Sequence, residues 1–384
     1  MNSPCLNYFL KSLRLECKKV NWKLLLYESN SCVLLKRTQS KTLYISTLCR
    51  NKSTLARPKF PALTMSNIKE EELMKPENVC LDQKPTKIIE AEGWITIGQY
   101  SVFAWSVSGL ESCIVIKSDD IVLTFDMGIA LPESLKASSV FITHGHVDHI
   151  GAVASHVSKR GLGGLKPARY FVPPHLVEPL KSSLQAHYLM AETVEALKDV
   201  NVLPFVESDV VRLNSSYFVK AFPTIHRIPS QGYILYKETK KLKPELRGLQ
   251  GFEIAAMHRA GQEIHEIVTT PELAYCGDTV FDVFLNPPNP DLLKVKLLIT
   301  EATFLDEEIG KNMIQKAKER GHTHLSELIQ HAELFSEVGH IVLVHFSNKY
   351  SSKYIKDCFF HRLPQQLRGK VTPATVAKST FAST

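Results

Sequence analysis

The chain has 384 residues, 44% of them hydrophobic, which is enough to bury one large core or two modest ones. Its apolar stretches fall short of the roughly 20 residues that a membrane-spanning helix requires, so we expect a soluble protein with no membrane partner. The formal net charge is +7, from 46 Lys and Arg residues against 39 Asp and Glu residues.

The excess positive charge lies in the first 65 residues. They hold twelve Lys and Arg residues and two acids, Glu16 and Glu28. The remainder has 34 basic residues (46 less 12) and 37 acidic ones (39 less 2), a balance near −3. A basic, acid-poor, Ser/Thr-rich N-terminus is typical of an organelle transit peptide, and a basic tail that binds nucleic acid is the alternative. We predict a disordered leader over 1–65 and an acidic, polar linker over 66–86.

From about residue 87 the sequence predicts regular structure. Short apolar, β-branched runs separated by polar turns indicate strands at 95–97, 101–105, 113–116 and 121–125. The last of these runs ends in Asp126-Met127-Gly128. Taken alone, an Asp-x-Gly string at the end of a strand usually indicates a turn.

A further apolar run at 139–143 leads into a cluster of metal-binding side chains. The next residues are His-Gly-His-Val-Asp-His, which place His144, His146, Asp148 and His149 before a predicted helix. Residues two apart in an extended turn project the same way, so the first two histidines can reach one ion and the last two residues another. Imidazole with carboxylate suits zinc and its first-row neighbours rather than magnesium or calcium. A polar turn with scattered histidines is the less specific alternative.

The second half of the chain repeats the pattern of a strand followed by a polar residue. We predict a helix near 176–200 and then further apolar strands. Four residues that can bind a metal or carry a proton stand directly after or at the end of such runs: His226, Asp278, Glu301 and His345.

The string HGHVDH followed by Ile-Gly resembles the metal-binding motif of the metallo-β-lactamase superfamily. The resemblance implies an α/β fold, an αββα sandwich with the metal at the edge of the sheets. It also implies hydrolysis as the reaction type, without fixing the substrate. Asp126 then resembles the superfamily's first motif, in which an aspartate steadies the metal loop through hydrogen bonds.

The string from His226 to Tyr233 resembles the H-x₅-GY stretch of ribonuclease Z, the tRNA 3′-processing endonucleases. Three later strings resemble further motifs of that family in the same order: Gly277-Asp278-Thr279, Glu301-Ala302-Thr303 and His345-Phe346-Ser347. Two positions depart from the family pattern. The histidine of its His-Glu-Ala-Thr motif is Thr300 here, and its His-Ser-Thr stretch is His322-Thr323-His324. Which of the two histidines acts is therefore open, and we favour His322.

The resemblance implies two Zn²⁺ ions per subunit. One would be held by His144, His146 and His226 and the other by Asp148, His149 and His345, with Asp278 bridging both. It also implies Asp148, His322 and Glu301 as catalytic residues. In this scheme His322, oriented by Glu301, protonates the departing O3′ of the tRNA.

A basic insertion separates the His226 and Asp278 motifs and resembles the arm of short-form enzymes. From residue 237 to 247 it has five basic residues against Glu238 and Glu245. We predict a flexible arm over 237–268 with a short helix near its end. Its predicted substrate-binding residues are Lys240, Lys241, Lys243 and Arg247. A solvated run of charges is the alternative.

The resemblance covers residues 87–365, which we predict as one domain, with a C-terminal tail over 366–384. It implies a zinc-dependent endoribonuclease that removes the 3′ trailer from precursor tRNA and leaves a 3′-hydroxyl. It further implies a homodimer. A short-form enzyme with a leader suggests a plant chloroplast protein, with the mitochondrion as the alternative. Two other functions stay open: a small-molecule esterase, thioesterase or lactonase of the same fold, and a scaffold that only binds RNA.

Overall fold

The computed structural model describes the backbone of residues 22–27, 31–37 and 43–49, and the chain over 88–192, 200–307 and 312–381. The chain divides into two units, Met1–Asp82 and Gln83–Thr384.

The first unit contains a three-stranded antiparallel sheet. Its strands pair in chain order: β1 (Trp22–Tyr27), β2 (Ser31–Arg37) and β3 (Leu43–Cys49). These strands lie within the leader predicted over 1–65, and their Leu, Val, Ile and Tyr content favours extended structure. The targeting role of residues 1–65 stays a prediction, and the predicted linker over 66–86 lies outside the described residues.

The first sheet of the second unit has eight strands. Each strand lies beside the one that follows it in the chain. The strands are β4 (Ile88–Ala91), β5 (Trp94–Ile97), β6 (Tyr100–Val107), β7 (Glu111–Lys117), β8 (Val122–Phe125), β9 (Ser139–Phe141), β10 (Arg169–Val172) and β11 (Asn201–Pro204). Pairing is antiparallel from β4 to β8 and parallel from β8 to β11. The four strands predicted between residues 95 and 125 are all present.

The second sheet has seven strands in sequential order. They are β12 (Val211–Arg212), β13 (Tyr217–Thr224), β14 (Ser230–Leu242), β15 (His265–Tyr275), β16 (Leu297–Glu301), β17 (His340–Val344) and β18 (Val371–Pro373). Pairing is antiparallel from β12 to β15 and parallel from β15 to β18.

Helices cover the outer faces of both sheets. The described helices are α1 (Val147–Ile150), α2 (Val153–Leu162), α3 (Val177–Met190), α4 (Gly251–Arg259), α5 (Asp282–Leu285), α6 (Met313–Glu319), α7 (Leu325–Gln330), α8 (Ser352–Arg362) and α9 (Val376–Phe381). The helix predicted near 176–200 corresponds to α3, which ends at Met190; residues 193–199 of that range lie outside the described residues. Among the described helices, none has both the length and the apolar character that a membrane crossing needs.

Three apolar cores show the layer order. The inner faces of the two sheets meet in an aromatic core, where the Phe125 ring lies 5.9 Å from Tyr233 and 5.1 Å from Tyr275. A second core joins α2 and α3 to the outer face of the first sheet. The third joins α5, α7 and α8 to the outer face of the second sheet. Because these layers follow the order helix, sheet, sheet, helix, they confirm the predicted αββα sandwich.

The ends of the parallel strands bring the polar residues together. In the second sheet β15, β16 and β17 run parallel to one another, so their carboxyl ends share one edge. The loop after β9 of the first sheet reaches the same edge, because Nε2 of His144 lies 3.8 Å from Asp278 Oδ2. The chain leaves these strands just before His144, Asp278 and His345, and β16 ends in Glu301. This edge is where an open α/β sheet places its ligands.

The C-terminal segment and the arm differ from their predictions. Strand β18 lies in the predicted tail, yet it pairs with β17 at the edge of the second sheet. Three residues are too short a run to give a strand signal in sequence. The predicted flexible arm contains the ends of two long strands, which pair from Tyr236 opposite Pro271 to Leu242 opposite His265. Beyond them lie a 3₁₀ turn and helix α4, which lies within the range where a short helix was predicted.

Candidate metal centre

Buried hydrogen bonds fix the path of the loop after β9. The Asp126 carboxylate accepts hydrogen bonds from the backbone N–H and the hydroxyl of Thr143, at 2.8 and 2.9 Å. Gly128 packs so closely against the loop that a Cβ there would stand 1.8 Å from the carbonyl oxygen of Asp148. The Asp-x-Gly string after β8 therefore belongs to the site and is more than a turn.

Neighbouring acceptors set the proton positions of the imidazoles. His149 donates its Nδ1–H to Asp126 at 2.7 Å, and the Tyr275 hydroxyl donates to the same carboxylate oxygen at 2.7 Å. His226 donates its Nδ1–H to the carbonyl oxygen of Gly321 at 2.7 Å. Because the proton of each ring is on Nδ1, its Nε2 keeps a lone pair for another ligand.

Two hydroxyl groups do the same for His144 and His345. The Thr143 hydroxyl already donates to a carboxylate, so it accepts the Nδ1–H of His144 at 2.9 Å. The Thr303 hydroxyl donates to the Glu301 carboxylate and accepts the Nδ1–H of His345 at 3.0 Å. Four of the five predicted histidine ligands thus present Nε2 with its lone pair free.

The first group of ligand atoms comes from three histidines and a carboxylate: His144, His146, His226 and Asp278. The Nε2 atoms of His144 and His226 lie 3.0 and 3.2 Å from Nδ1 of His146. Asp278 Oδ2 lies 3.8 Å from Nε2 of His144. These atoms are within 4.8 Å of one another, which is the spacing of ligands around a single ion.

The second group surrounds the other oxygen of Asp278. Its Oδ1 lies 3.3 Å from Nε2 of His149 and 3.4 Å from Nε2 of His345. Asp148 Oδ2 lies 3.5 Å from each of these two nitrogens and accepts the backbone N–H of Gly109 at 2.9 Å. Asp278 therefore joins both groups, one through each carboxylate oxygen.

The donor set fits metal ions. Asp278 Oδ1 is buried and has no hydrogen-bond partner among the described residues, an arrangement that is costly unless a cation completes it. Lone pairs also converge from imidazole nitrogens that have no proton left to share. Mixed imidazole and carboxylate donors are the set that first-row metals prefer. The residues of the site thus fit a metal ion, which agrees with the expectation that the cofactor is a metal.

The charges of the site favour a cation as well. Burial would raise the pKa of Asp278, but the imidazoles of His149 and His345 hold it well below its usual range. Burial likewise acts against ionisation of Asp148, but the proximity of the same two imidazoles keeps its pKa low. Burial, reinforced by His149, lowers the pKa of His144 to about 2. Ionised carboxylates beside a neutral imidazole leave the cluster attractive to positive charge.

Glu301 and His322 stand beside the second group. The His322 Nδ1–H donates to Glu301 at 3.0 Å, and its ring centroid lies 5.5 Å from that of His345. Glu301 is fully buried and accepts further hydrogen bonds from the backbone N–H groups of Thr279 and Thr323. Burial disfavours the charged imidazole, but the carboxylate of Glu301 outweighs it and raises the pKa of His322 to about 9.

His324 has a different role in the structure. Its Nε2–H donates to the carbonyl oxygen of Asp306 at 2.9 Å, and its Nδ1 accepts the backbone N–H of Ser326 at 3.1 Å. It is the N-cap of α7 and forms a capping box with Glu327. Because both of its ring nitrogens are occupied, the geometry supports His322 over His324 as the residue that can reach a substrate.

The four predicted substrate-binding residues lie away from this cluster, on the arm. Lys240, Lys241 and Arg247 are exposed and Lys243 is half-buried. The fifth basic residue of that run, Lys237, is held at the base of the arm, 3.9 Å from Asp120 and 4.9 Å from the centre of the Tyr217 ring.

Sequence reasoning missed three residues that hold the ligands in place. Thr143 and Thr303 accept imidazole protons, and Tyr275 holds Asp126. The two threonines are adjacent to or within the quoted motifs, so the motifs contain a signal for them. Tyr275 offers none, because its hydroxyl meets Asp126 across 149 residues of sequence.

The αββα sandwich, together with a shared carboxylate between two ligand groups at its edge, defines a metal-dependent hydrolase of the metallo-β-lactamase fold.

No protein-family model matches the chain. Two related proteins from Arabidopsis thaliana match it. The chloroplastic tRNase Z TRZ2 is 35% identical over 281 residues, covering 73% of this chain and 77% of its own length. The tRNase Z TRZ1 is 36% identical over 287 residues, covering 75% of this chain and 99% of its own. The chain belongs to the tRNase Z family.

Among solved structures, the short form of human tRNase Z matches with a TM-score of 0.44 and 18% sequence identity, covering 71% of this chain and 95% of that one.

Proposed function

We propose that the protein is a zinc-dependent endoribonuclease that removes the 3′ trailer from precursor tRNA. The observation that carries this proposal is the Glu301–His322 pair beside the carboxylate that joins two ligand groups, in a chain of the tRNase Z family. Phosphodiester hydrolysis needs a proton donor next to the electrophilic centre, and this pair supplies one.

We assign one Zn²⁺ to His144, His146, His226 and Asp278, and a second to Asp148, His149, His345 and Asp278. When bound, these cations supply positive charge that lowers the pKa of water and offsets the charge of the phosphate oxygens. The proton positions described above support the assignment, because in four of the five histidines Nε2 is free while Nδ1 is already bonded.

The chain's own residues then perform the proton transfers. Asp148 accepts a proton from the attacking water, whose oxygen bonds to the phosphorus as the P–O3′ bond breaks. His322 donates its Nε2 proton to O3′, and Glu301 orients the ring through Nδ1. The products are a 3′-hydroxyl on the tRNA body and a 5′-phosphate on the trailer.

The arm supports tRNA as the substrate. Lys240, Lys241 and Arg247 extend exposed positive charge from a hairpin that begins beside the metal centre. Among the described residues none of the three has an ion-pair partner, so their charges are available to phosphates. A small ester or lactone would not reach them.

We further propose a homodimer that acts in the chloroplast, with the leader of residues 1–65 as the targeting segment. The basic composition of the leader and a chloroplastic relative support this location. A fluorescent fusion to residues 1–65 should enter chloroplasts, and a native mass spectrum should show the mass of two mature chains. A fusion that stays cytosolic contradicts the location.

The test of the activity is a cleavage assay on precursor tRNA with a 3′ trailer, run beside a chromogenic ester. We expect cleavage after the tRNA body, with 3′-hydroxyl and 5′-phosphate ends. Chelation should abolish it, Zn²⁺ should restore it, and elemental analysis should give two zincs per chain. Hydrolysis of the ester with an intact precursor would instead identify a small-molecule hydrolase. Binding of the precursor without cleavage of either substrate would identify a binding scaffold.

A further inference from the structure

A lysine of the C-terminal helix is buried behind the loop that carries His345. Only 1% of the surface of Lys378, in α9, is exposed. Burial lowers the pKa of its ammonium, and none of the carboxylates that the structure describes forms an ion pair with it. Because a buried cation without a counter-charge is costly, the hydrogen bonds that it makes have to account for its position.

Those hydrogen bonds go to the loop after β17. The Lys378 ammonium donates to the backbone carbonyl oxygen of Ser347 at 3.0 Å and to Oδ1 of Asn348 at 3.4 Å. Ser347 follows the predicted ligand His345 by two residues. Lys378 therefore holds the loop that presents this histidine.

The loop needs support because its backbone is strained at His345. This residue has a φ of 60°, in the left-handed region that a residue with a Cβ keeps only when its surroundings impose it. The carbonyl oxygen of Phe346 accepts the N–H of Ser108 at 3.2 Å, and Ser347 donates its N–H to the carbonyl oxygen of Thr303 at 3.0 Å. The bond from the buried ammonium is the next one along this backbone, so three consecutive peptide groups are held.

The same set of hydrogen bonds reaches a second predicted ligand. Ser108, which bonds the loop after β17, is followed by Gly109, whose N–H donates to Oδ2 of Asp148 at 2.9 Å. The turn between β6 and β7 is thus bonded both to Asp148 and to the loop of His345. Lys378 bonds that loop one residue further on and restrains where these two ligands stand relative to each other.

Helix α9 is itself fixed to the first sheet. The Phe381 ring meets the Trp105 ring of β6 edge to face, with centroids 6.4 Å apart. Val376, at the start of the helix, packs against the core between the first sheet and its helices. The ammonium therefore acts on the loop from an anchored element.

We propose that Lys378 is a positioning residue for the second ion. Its ammonium holds the loop after β17 so that Nε2 of His345 stays 3.5 Å from Oδ2 of Asp148 and 3.4 Å from Oδ1 of Asp278. This inference rests on the proposed function, because it uses the assignment of a zinc to these residues and His149. It predicts an effect on metal affinity and turnover rather than on the binding of substrate.

A zinc titration tests the proposal without any substrate. Metal-free protein competes with a chromophoric chelator for Zn²⁺, and His345→Ala identifies which of the two binding steps belongs to the second ion. Lys378→Met keeps the apolar stem of the side chain but removes the ammonium. It should weaken that step roughly 10- to 100-fold, the range for loss of a residue that orients a ligand, and leave the other step unchanged. Lys378→Gln, which is polar but uncharged and shorter, should weaken the same step and decides the test if the Met variant does not fold.

Lys370 gives a matched control on the same edge of the second sheet. Its ammonium also donates to backbone carbonyl oxygens, those of Phe335 and Ser336 at 2.5 and 2.9 Å, but before the start of β17 rather than after its end. Lys370→Met should lower the unfolding temperature, as Lys378→Met does, because each loses a buried hydrogen bond. It should leave both zinc-binding steps unchanged.

Cleavage of precursor tRNA gives a second readout. At limiting Zn²⁺, Lys378→Met should lower kcat by up to the factor seen in the titration, with KM unchanged. Saturating Zn²⁺ should restore most of the turnover, because the lysine places a metal ligand and does not contact the substrate.

The outcomes separate this inference from the function it rests on. Normal zinc binding by folded Lys378→Met or Lys378→Gln would overturn it, as would a weakening that Lys370→Met shares equally. A raised KM with unchanged kcat would place Lys378 in substrate binding and overturn it too. A wild-type protein that takes up two zincs without cleaving the precursor would overturn the proposed function alone, and one that takes up no second zinc would overturn both.

Discussion

The metal centre and the arm hold their predicted functional residues in opposite ways. At the centre, His149 and Asp278 are buried, and a hydrogen bond fixes the proton on most of the imidazoles. On the arm, Lys240 and Lys241 are exposed on a single hairpin and no described carboxylate pairs with them. The function of the centre depends on where its side chains are held, and that of the arm depends on how much positive charge it presents. Changes at the centre should therefore be close to all-or-none, and changes on the arm should be graded and roughly additive.

The largest effect is expected for Asp278→Ala, because Asp278 serves both ligand groups. Loss of a residue that only supports a ligand costs about 10- to 100-fold, and loss of a shared ligand should exceed this and abolish cleavage. Binding of precursor tRNA should stay nearly normal, since the arm is untouched. Single-turnover cleavage, metal content and a binding curve measure the three quantities. Near-normal turnover with two bound ions would refute the assignment.

His322→Ala and His324→Ala test whether position within the centre decides function. His322→Ala should slow cleavage by roughly 10² to 10⁴, the range for loss of a general acid, with metal content unchanged. His324→Ala removes a helix cap and should lower the free energy of unfolding by about 1 kcal/mol. At temperatures where this variant stays folded, its turnover should be close to normal. Should the two variants exchange these behaviours, the choice between the histidines is wrong.

Substitutions on the arm should weaken the binding of precursor tRNA in small steps. Replacing Lys240, Lys241, Lys243 and Arg247 with Ala, one at a time and then together, should raise KM for precursor tRNA stepwise. Each lost phosphate contact should flatten the log–log slope of affinity against salt by roughly 0.7 to 0.9. Turnover of a small phosphodiester serves as the control, because it never reaches the arm. An equal loss on both substrates would mean that the arm supports the fold.

The smallest effect is expected at the base of the arm, where Arg212 and Glu238 form a two-point ion pair at 2.8 and 3.1 Å. Both side chains border solvent, so the pair is screened and its loss should be mild. Arg212→Ala should raise KM for precursor tRNA by less than about fivefold and leave kcat unchanged. The exchanged double variant, Arg212→Glu with Glu238→Arg, should recover part of the loss. A change in kcat instead would show that the base of the arm reaches the metal centre.

Local motifs carried the prediction of the centre. His144 to His149 are adjacent in sequence after one strand, so their type and spacing were sufficient to indicate a metal loop. The αββα sandwich was likewise predicted from short strings at the ends of strands, because these strings resemble the motifs of a known family. The roles of these residues remain predictions, although the structure brings all of the predicted metal ligands together.

Contacts between distant segments could not be predicted. Tyr275 meets Asp126, and Lys237 meets Asp120, only because the two sheets pack face to face. Strand β18 gains its strand character from pairing with β17 rather than from three residues of sequence. For the arm, the sequence indicated positive charge and a short helix but not the pairing of β14 with β15, because those hydrogen bonds depend on register. Buried Leu246 and Ile264, which lie beyond the paired ends of these two strands, were not distinguishable from surface residues in a polar stretch.

Strand β14 sets the distance between the metal loop and the basic residues of the arm. Its backbone starts beside the metal loop, where Gln231 donates its N–H to the carbonyl oxygen of Thr143, and it runs for thirteen residues to Leu242. At about 3.3 Å per residue it spans roughly 40 Å in one unbroken element. Insertion of two residues into each paired strand would advance the basic side chains by about 7 Å with their faces preserved, whereas one residue would turn them to the opposite face. In the proposed function, the number of residues in β14 therefore sets the distance along the substrate between the cleaved bond and the contact with the arm.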